Sequence, residues 1–272
     1  MLYCGDDRMF NGVVLSTLSL LKNQTEPLDI YVMTAEFTNK RDKFTGFTDY
    51  HINKLRWLLR EHDSKSSVTK LDITGLVMNN PLTANANTFF TPYSMLRLYA
   101  DLVPELSGRI LYLDADVLCR KSFADFYHQD LSDVEVVGTL DYYGKWFFHH
   151  QLKKFDYINS GVLLMNLDLI RKTKLLRKCR RLCKIRPMLM PDQSALNRYS
   201  HKKRLAPNRF NEQHGVKPNT VFHHFSANWV MWPVPHTVAV KPWEQKKVQT
   251  KLGLHDYDDI YDEANRIIQD FE

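Results

Sequence analysis

Arg109-Ile110-Leu111-Tyr112-Leu113-Asp114-Ala115-Asp116-Val117 is an apolar run that ends in two acids one residue apart. Its composition predicts a strand over 109–113, apolar enough for the centre of a sheet. Along an extended chain, residues i and i+2 point to the same side. Asp114 and Asp116 therefore converge just past the strand's C-terminal end, the edge where ligands bind in open α/β sheets. Converging carboxylate oxygens suit a hard divalent cation, Mg²⁺ or Mn²⁺, which bridges to phosphate. The competing reading has both acids capping the next turn or pairing with Arg120 and Lys121. The buried-strand context favours the metal, because two like charges side by side are costly without a cation.

Outward from this run, short β-rich stretches alternate with helix-period segments, the pattern of an α/β fold. Strands are expected at Leu2–Cys4, Leu28–Met33, Val68–Ile73, Val134–Leu140 and Gly161–Met165. Asp6 or Asp7 caps a helix carrying Val13, Val14, Leu18 and Leu21. Further helices follow around Ile52–Leu59, over Tyr93–Val103 up to Pro104, along a basic stretch from Leu167 to Lys184, and from Pro191. Beyond Pro207 the chain reads as irregular. One catalytic domain is expected over 1–231, with a C-terminal extension over 232–272 packed on or beside it.

At 272 residues the chain is long enough for a sizeable core, and its 44% apolar content is too rich for disorder. No apolar run approaches the ~20 residues of a membrane span. The opening residues carry no basic-then-apolar leader. The four cysteines include no C-x-x-C pair. Cys179 and Cys183, four apart on a helix, suit neither a disulfide nor zinc. These features predict a reducing, cytoplasmic setting. The net charge is +6 but uneven: 171–186 holds nine Lys/Arg and no acid, whereas the chain from Asp256 onward is acidic.

A D-x-D after an apolar strand serves two chemistries. In phosphotransferases of the haloacid-dehalogenase type the first Asp is a nucleophile, and a Thr or Val follows two residues after the second. Leu118 holds that place here, and no Gly-Asp-Gly-x-x-Asp follows. The other chemistry is the binding of a metal and a nucleotide-sugar. Several segments support it. They are Tyr3-Cys4-Gly5-Asp6-Asp7, Arg97 fifteen residues before Tyr112, Tyr112–Val117 (YLDADV), Ile158–Asn166 (INSGVLLMN), Pro191–Asn197 (PDQSALN) and His223-His224-Phe225. In type and order they resemble glycosyltransferase family 8, the retaining, UDP-sugar-dependent family that includes bacterial lipooligosaccharide galactosyltransferases and glycogenin. The matches run from about residue 2 to 243.

The resemblance implies a GT-A fold, a single Rossmann-like α/β domain with a mixed, mainly parallel central sheet flanked by helices. It also implies a hexosyltransferase that moves glucose or galactose from a UDP-sugar to a saccharide or lipid-linked saccharide acceptor. Asp114 and Asp116 would bind Mn²⁺ (or Mg²⁺), with His224 as third ligand; His223, one residue away, is the alternative. Asp6 would contact uracil or ribose, or cap the helix, or both. Arg97, Asp114, Ala115, Asp141 and Asn159 would meet the nucleotide-sugar. Gln193 would face the donor sugar opposite the leaving UDP. An amide is a poor nucleophile, which fits front-face return; Asp192 is the alternative nucleophile or electrostatic stabiliser.

Two departures stand out. The family's His-Phe-x-Gly-x-x-Lys-Pro-Trp run lacks its Gly here, and Lys241-Pro242-Trp243 follows His224 by seventeen residues rather than six. Either an insertion still lets Lys241 reach the diphosphate, or that contact is lost. The intervening aromatic segment, Trp229 to Pro233, would fold over the donor or form an acceptor or membrane contact. The second departure is Ser194, where a second acid is frequent. The basic stretch over 171–186 reads as a solvated face on a docked helix, or as a peripheral contact with anionic lipid on the inner face of a membrane. No nucleic-acid motif is present. Two other readings remain open at this stage. One is a D-x-D phosphatase or nucleotidyltransferase. The other is a non-catalytic binder of anionic partners through the basic helix.

Overall fold

A computed structural model describes residues 1–38, 43–86, 92–106, 108–141, 156–226, 228–230 and 236–269. Its strands are β1 (Leu2–Cys4), β2 (Asp29–Thr34), β3 (Phe37–Thr38), β4 (Lys43–Phe44), β5 (Ser67–Asp72), β6 (Arg109–Leu113), β7 (Val117–Cys119), β8 (Val136–Thr139), β9 (Val162–Asn166), β10 (Lys203–Ala206), β11 (Phe222–His224), β12 (Asn228–Val230) and β13 (His236–Val238). Among the described residues, seven form one sheet in the order β10-β8-β9-β6-β1-β2-β5. All neighbours are parallel except those of β9, which runs against both β6 and β8. This is the mixed, mainly parallel sheet that was expected.

Strand β6 sits at the centre, as its apolar composition predicts. Its side chains alternate between two cores. Leu111 and Leu113 join Tyr3, Val14, Leu18 and Leu164 on one face; Ile110 and Tyr112 join Met33, Leu98, Leu163 and Leu176 on the other. Burial on both faces leaves no polar side to the strand, and each large aliphatic so buried contributes about 1.5–3 kcal/mol. Strand order reverses between β1 and β6, with β2 and β5 to one side and β9, β8 and β10 to the other. A crevice therefore opens at the C-terminal ends of β1 and β6, where Gly5-Asp6 and Asp114 emerge.

Several local expectations are corrected. The 93–103 helix is a 3₁₀ helix, Pro92–Leu102. With three residues per turn, Ser94 and Arg97 line up, and Arg97 Nε donates to the Ser94 carbonyl (2.7 Å). The long basic helix is two helices, Leu167–Thr173 and Leu175–Ile185, broken at Lys174, which has φ 59°. Arg171 anchors the first to the carbonyls of Asp101, Val103 and Leu106. The second turns to bury Leu175, Leu176, Cys179, Leu182 and Cys183. Lys203–Ala206, not singled out from sequence, adds a parallel edge strand. The stretch beyond Pro207 is less irregular than expected: Phe222–His224 pairs with β7, and the helices Gln245–Leu252 and Asp258–Gln269 follow. Asp6 caps the 3₁₀ turn Asp7–Met9, which leads into the helix Phe10–Asn23.

The C-terminal helices Gln245–Leu252 and Asp258–Gln269 bring Val248, Tyr257, Ile260, Tyr261 and Ala264 into the core shared with β6. The four cysteines are free. Residues 231–233 of the aromatic segment, with 234 and 235 after it, lie outside the described residues, whose backbone pairs β12 with β13. No helix among the described residues is long and apolar enough to cross a membrane.

Candidate metal and nucleotide-sugar site

Past the end of β6, the backbone turns sharply: Val117 N–H donates to the Asp114 carbonyl (3.1 Å), and β7 begins. Strand β11 lies antiparallel to β7, with His224 opposite Val117, and Phe225 N–H donates to the Asp116 carbonyl (3.0 Å). This register carries His224 to the D-x-D turn across more than a hundred residues of chain. Ligand atoms of Asp114, Asp116 and His224 all lie within 4.8 Å of one another. His224 Nε2 stands 3.4 Å from Asp116 and 3.9 Å from Asp114.

Neighbouring strand residues face opposite ways, so His223 points away. Its Nδ1 meets the Tyr257 hydroxyl (2.8 Å), and its ring packs on Phe225 and Tyr257. Burial pushes its pKa down to about 3, so the imidazole stays neutral. The choice between the two histidines is one of strand register, and geometry gives it to His224.

A relay of side chains orients His224. Asn159 Oδ1 accepts from Gly161 N–H (2.8 Å) and from Asn211 Nδ2 (2.9 Å), while Asn159 Nδ2 donates to Asp141 (2.8 Å). Asn211 therefore turns its oxygen to His224 Nδ1 (3.0 Å). The proton on Nδ1 is thereby held, which leaves Nε2, the nitrogen facing the two carboxylates, as the one that would ligate a metal. Asn211 was not legible in the sequence: a buried Asn in a polar loop carries no signal until its partners are known. Asn211→Leu removes the acceptor at similar size. Metal affinity should fall by about 10–100-fold, measured by titrating Mn²⁺ against the thermal midpoint. An unchanged affinity would dismiss the relay.

Two cations hold the acids. Arg97 is 2% exposed. It donates to Asp114 Oδ1 (2.8 Å) and the Ser160 carbonyl, faces Asp192 (3.3 Å) and stacks over Tyr112, its centre 4.0 Å from the ring. Tyr112, also missed from sequence, donates to the same Asp114 oxygen. Lys241 Nζ reaches Asp116 Oδ2 at 2.5 Å, so the longer interval after His224 does not carry it away from the site. Its neighbour Trp243 and the Ala115 carbonyl both press on Gly12 of the Phe10–Asn23 helix: a Cβ there would lie 2.6 Å from the oxygen and 2.8 Å from the ring. Burial works against charge on Asp116, but Lys241 and His224 outweigh it and hold its pKa well below the usual carboxylate range. Burial likewise opposes charge on Lys241, and Asp116 raises its pKa.

Asp192 and Gln193, in the first turn of the helix Pro191–Tyr199, complete the site. Gln193 Oε1 accepts from Ser160 N–H (2.9 Å) and its Nε2 donates to Asp141 (3.1 Å). Asp192 accepts from the Ser160 hydroxyl (3.1 Å); burial raises its pKa and Arg97 opposes the rise. Ser160 thus ties together three residues singled out from sequence, Arg97, Asp192 and Gln193. Asp6 lies at the end of β1, where both its oxygens accept from Arg8. A separate apolar cavity of about 590 Å³ lies between Phe37, Phe44, Val77, Leu82 and Tyr99, away from this cluster.

The profile described as Glycosyl transferase family 8 matches residues 1–247. This chain belongs to that family. It is 23% identical to a lipopolysaccharide 1,3-galactosyltransferase of Salmonella typhimurium (strain LT2), over 88% of this chain and 73% of the relative. It is 26% identical to a lipopolysaccharide 1,2-glucosyltransferase of Escherichia coli, over 88% and 71%. Family membership makes it a glycosyltransferase and sets aside the phosphatase and pure-binder readings. An active-site mutant of LgtC shares the fold, with TM-score 0.65, 17% identity, and coverage of 95% of this chain and 99% of that one. The glycosyltransferase GlyE of Streptococcus pneumoniae TIGR4 has TM-score 0.61 and 16% identity, over 96% of this chain and 62% of that one.

The donor set fits a divalent cation. Asp114, Asp116 and Asp192 set three carboxylates against two cations, Arg97 and Lys241. His224 aims Nε2 at the gap, and a mixed O/N set of this kind suits Mn²⁺ or Mg²⁺.

Proposed function

We propose that the chain transfers glucose or galactose from a UDP-sugar to a saccharide or lipid-linked saccharide acceptor, with Mn²⁺ or Mg²⁺ and with retention at the anomeric carbon. The observation that carries this reading is the convergence of Asp114, Asp116 and His224 at the sheet's switch point, with Gln193 and Asp192 on the adjoining helix. The hexose rests on the relatives, which are named for galactosyl and glucosyl transfer. A cation held by the three ligands would neutralise charge on the departing diphosphate.

The protein groups have distinct tasks. Asp6, at the end of β1, receives the uridine, exchanging its Arg8 contacts for the nucleoside. Lys241 turns from Asp116 to the diphosphate. Arg97 commits Nε, Nη1 and Nη2 to protein acceptors, so it positions Asp114. Gln193 has its oxygen held by Ser160, which suits electrostatic support of the cationic sugar rather than attack on it. The acceptor oxygen bonds to the anomeric carbon as the bond to phosphate oxygen breaks on the same face. The acceptor's proton leaves with the phosphate.

The test is thermal stability with UDP, with and without Mn²⁺, followed by transfer assays with UDP-glucose and UDP-galactose. A ligand at a hundred times its Kd stabilises by about 2.7 kcal/mol, on the order of 5–10 °C here. A shift that needs both UDP and metal supports the reading. Metal-independent behaviour, with no turnover of either sugar nucleotide, would overturn it.

A further inference from the structure

The basic stretch over 171–186 has no task in the site, and its geometry is unlike that of a free amphipathic helix. The apolar row of Leu175–Ile185 is consumed by packing against Pro92–Leu102 and Pro191–Tyr199. Arg180 turns inward to pair with Asp101, and Arg171 to the carbonyls named above. The other seven Lys/Arg of the stretch are exposed, among them Lys174, Arg177, Lys178, Arg181, Lys184 and Arg186. Next to this row two aliphatic side chains stand in solvent: Ile185 is 77% exposed and Leu189 61%.

We propose that this face docks on an anionic lipid bilayer, the cations meeting lipid phosphates while Ile185 and Leu189 enter the headgroup layer. Charge complementarity argues for the surface: the stretch contains no acid to offset its cations. The protruding aliphatics argue for lipid over nucleic acid, since phosphate contacts leave them in water. Residues 172–189 also contain no Phe, Tyr or Trp on which bases could stack. The placement has a consequence for the transferase reading, on which it rests. Leu189 stands three residues before Asp192, in the loop that opens the Pro191–Tyr199 helix. Docking there brings a membrane-embedded acceptor to the Asp192 and Gln193 side of the site.

The test is co-sedimentation of the full chain with phosphatidylcholine vesicles, with and without phosphatidylglycerol. Binding is expected only to the anionic vesicles, and it should weaken as salt is raised. The triple variant Arg177→Glu/Lys178→Glu/Arg181→Glu should partition about a hundredfold less, at about fivefold or more per cation. The double variant Ile185→Asp/Leu189→Asp should lose the part of binding that survives salt. Both should keep the wild-type thermal shift with UDP and Mn²⁺, which certifies the fold. Asp116→Ala should still sediment with anionic vesicles, so failure of the donor site and failure of the lipid surface are told apart. Equal binding to neutral vesicles, or unchanged binding of the variants, would overturn the proposal. So would tight binding to duplex DNA or RNA with no partition into vesicles.

Discussion

Asp116→Ala should lower kcat about a thousandfold and remove the Mn²⁺-dependent stabilisation by UDP. Asp116 is the one carboxylate that His224 and Lys241 both address, at 3.4 Å and 2.5 Å. Its loss leaves Asp114, whose Oδ1 already accepts from Arg97 and Tyr112. A cation bound by what remains would be weakly held and poorly placed. Several kcal/mol of charge stabilisation at the leaving group then go, and about 4 kcal/mol corresponds to the thousandfold. The fold should survive. The Lys241 side chain is one-third exposed and can turn to water, so stability should fall by only about 1–2 kcal/mol, a few degrees in Tm. A variant that retains kcat within tenfold of wild type would refute a metal role for this turn.

How much of this was legible beforehand depends on where each residue's signal lies. The apolar run from Arg109 and its two acids announce their own placement, because strand periodicity and charge cost are local properties. Asp192 and Gln193 stand behind a proline that opens a helix, which local pattern shows, but their place in the site is legible only through the family resemblance of Pro191–Asn197. His224 is half legible. The dipeptide His223-His224 shows that an imidazole is available, but only the pairing of His224 with Val117 decides which one faces the acids. Lys241 reads as displaced from its motif by the longer interval, and it still arrives, because Trp243 docks on the space left by Gly12. Ser160, Asn211 and Tyr112 escape notice: each acts by holding another side chain, and such a role has no residue-type signature. The kink at Lys174 escapes too. No Gly or Pro marks it: Lys174 itself takes φ 59° between the two helices.

Gly161→Ala should lower metal affinity and kcat by about a hundredfold or more while leaving a folded protein. A Cβ at Gly161 would lie 2.2 Å from His224 Cε1, 2.7 Å from its Nδ1 and 3.0 Å from an Asp114 oxygen. The backbone cannot retreat, since Gly161 N–H is held by Asn159 (2.8 Å) and its carbonyl accepts from Asp114 N–H (2.8 Å). The imidazole must therefore move, and it leaves both the Asn211 acceptor and the carboxylates. Overpacking of this kind costs about 1–3 kcal/mol, enough to lower Tm by several degrees without unfolding the chain. Gly75→Ala is the control, with nothing within 4 Å of its added Cβ, and should leave both readouts unchanged. The double variant Gly161→Ala/His224→Ala separates the causes: deleting the ring relieves the clash and should restore Tm, while activity stays lost. If the single variant binds metal like wild type, the close approach of Gly161 to His224 has no part in shaping the site. If the double variant melts no higher than the single one, the destabilisation comes from the Asp114 contact.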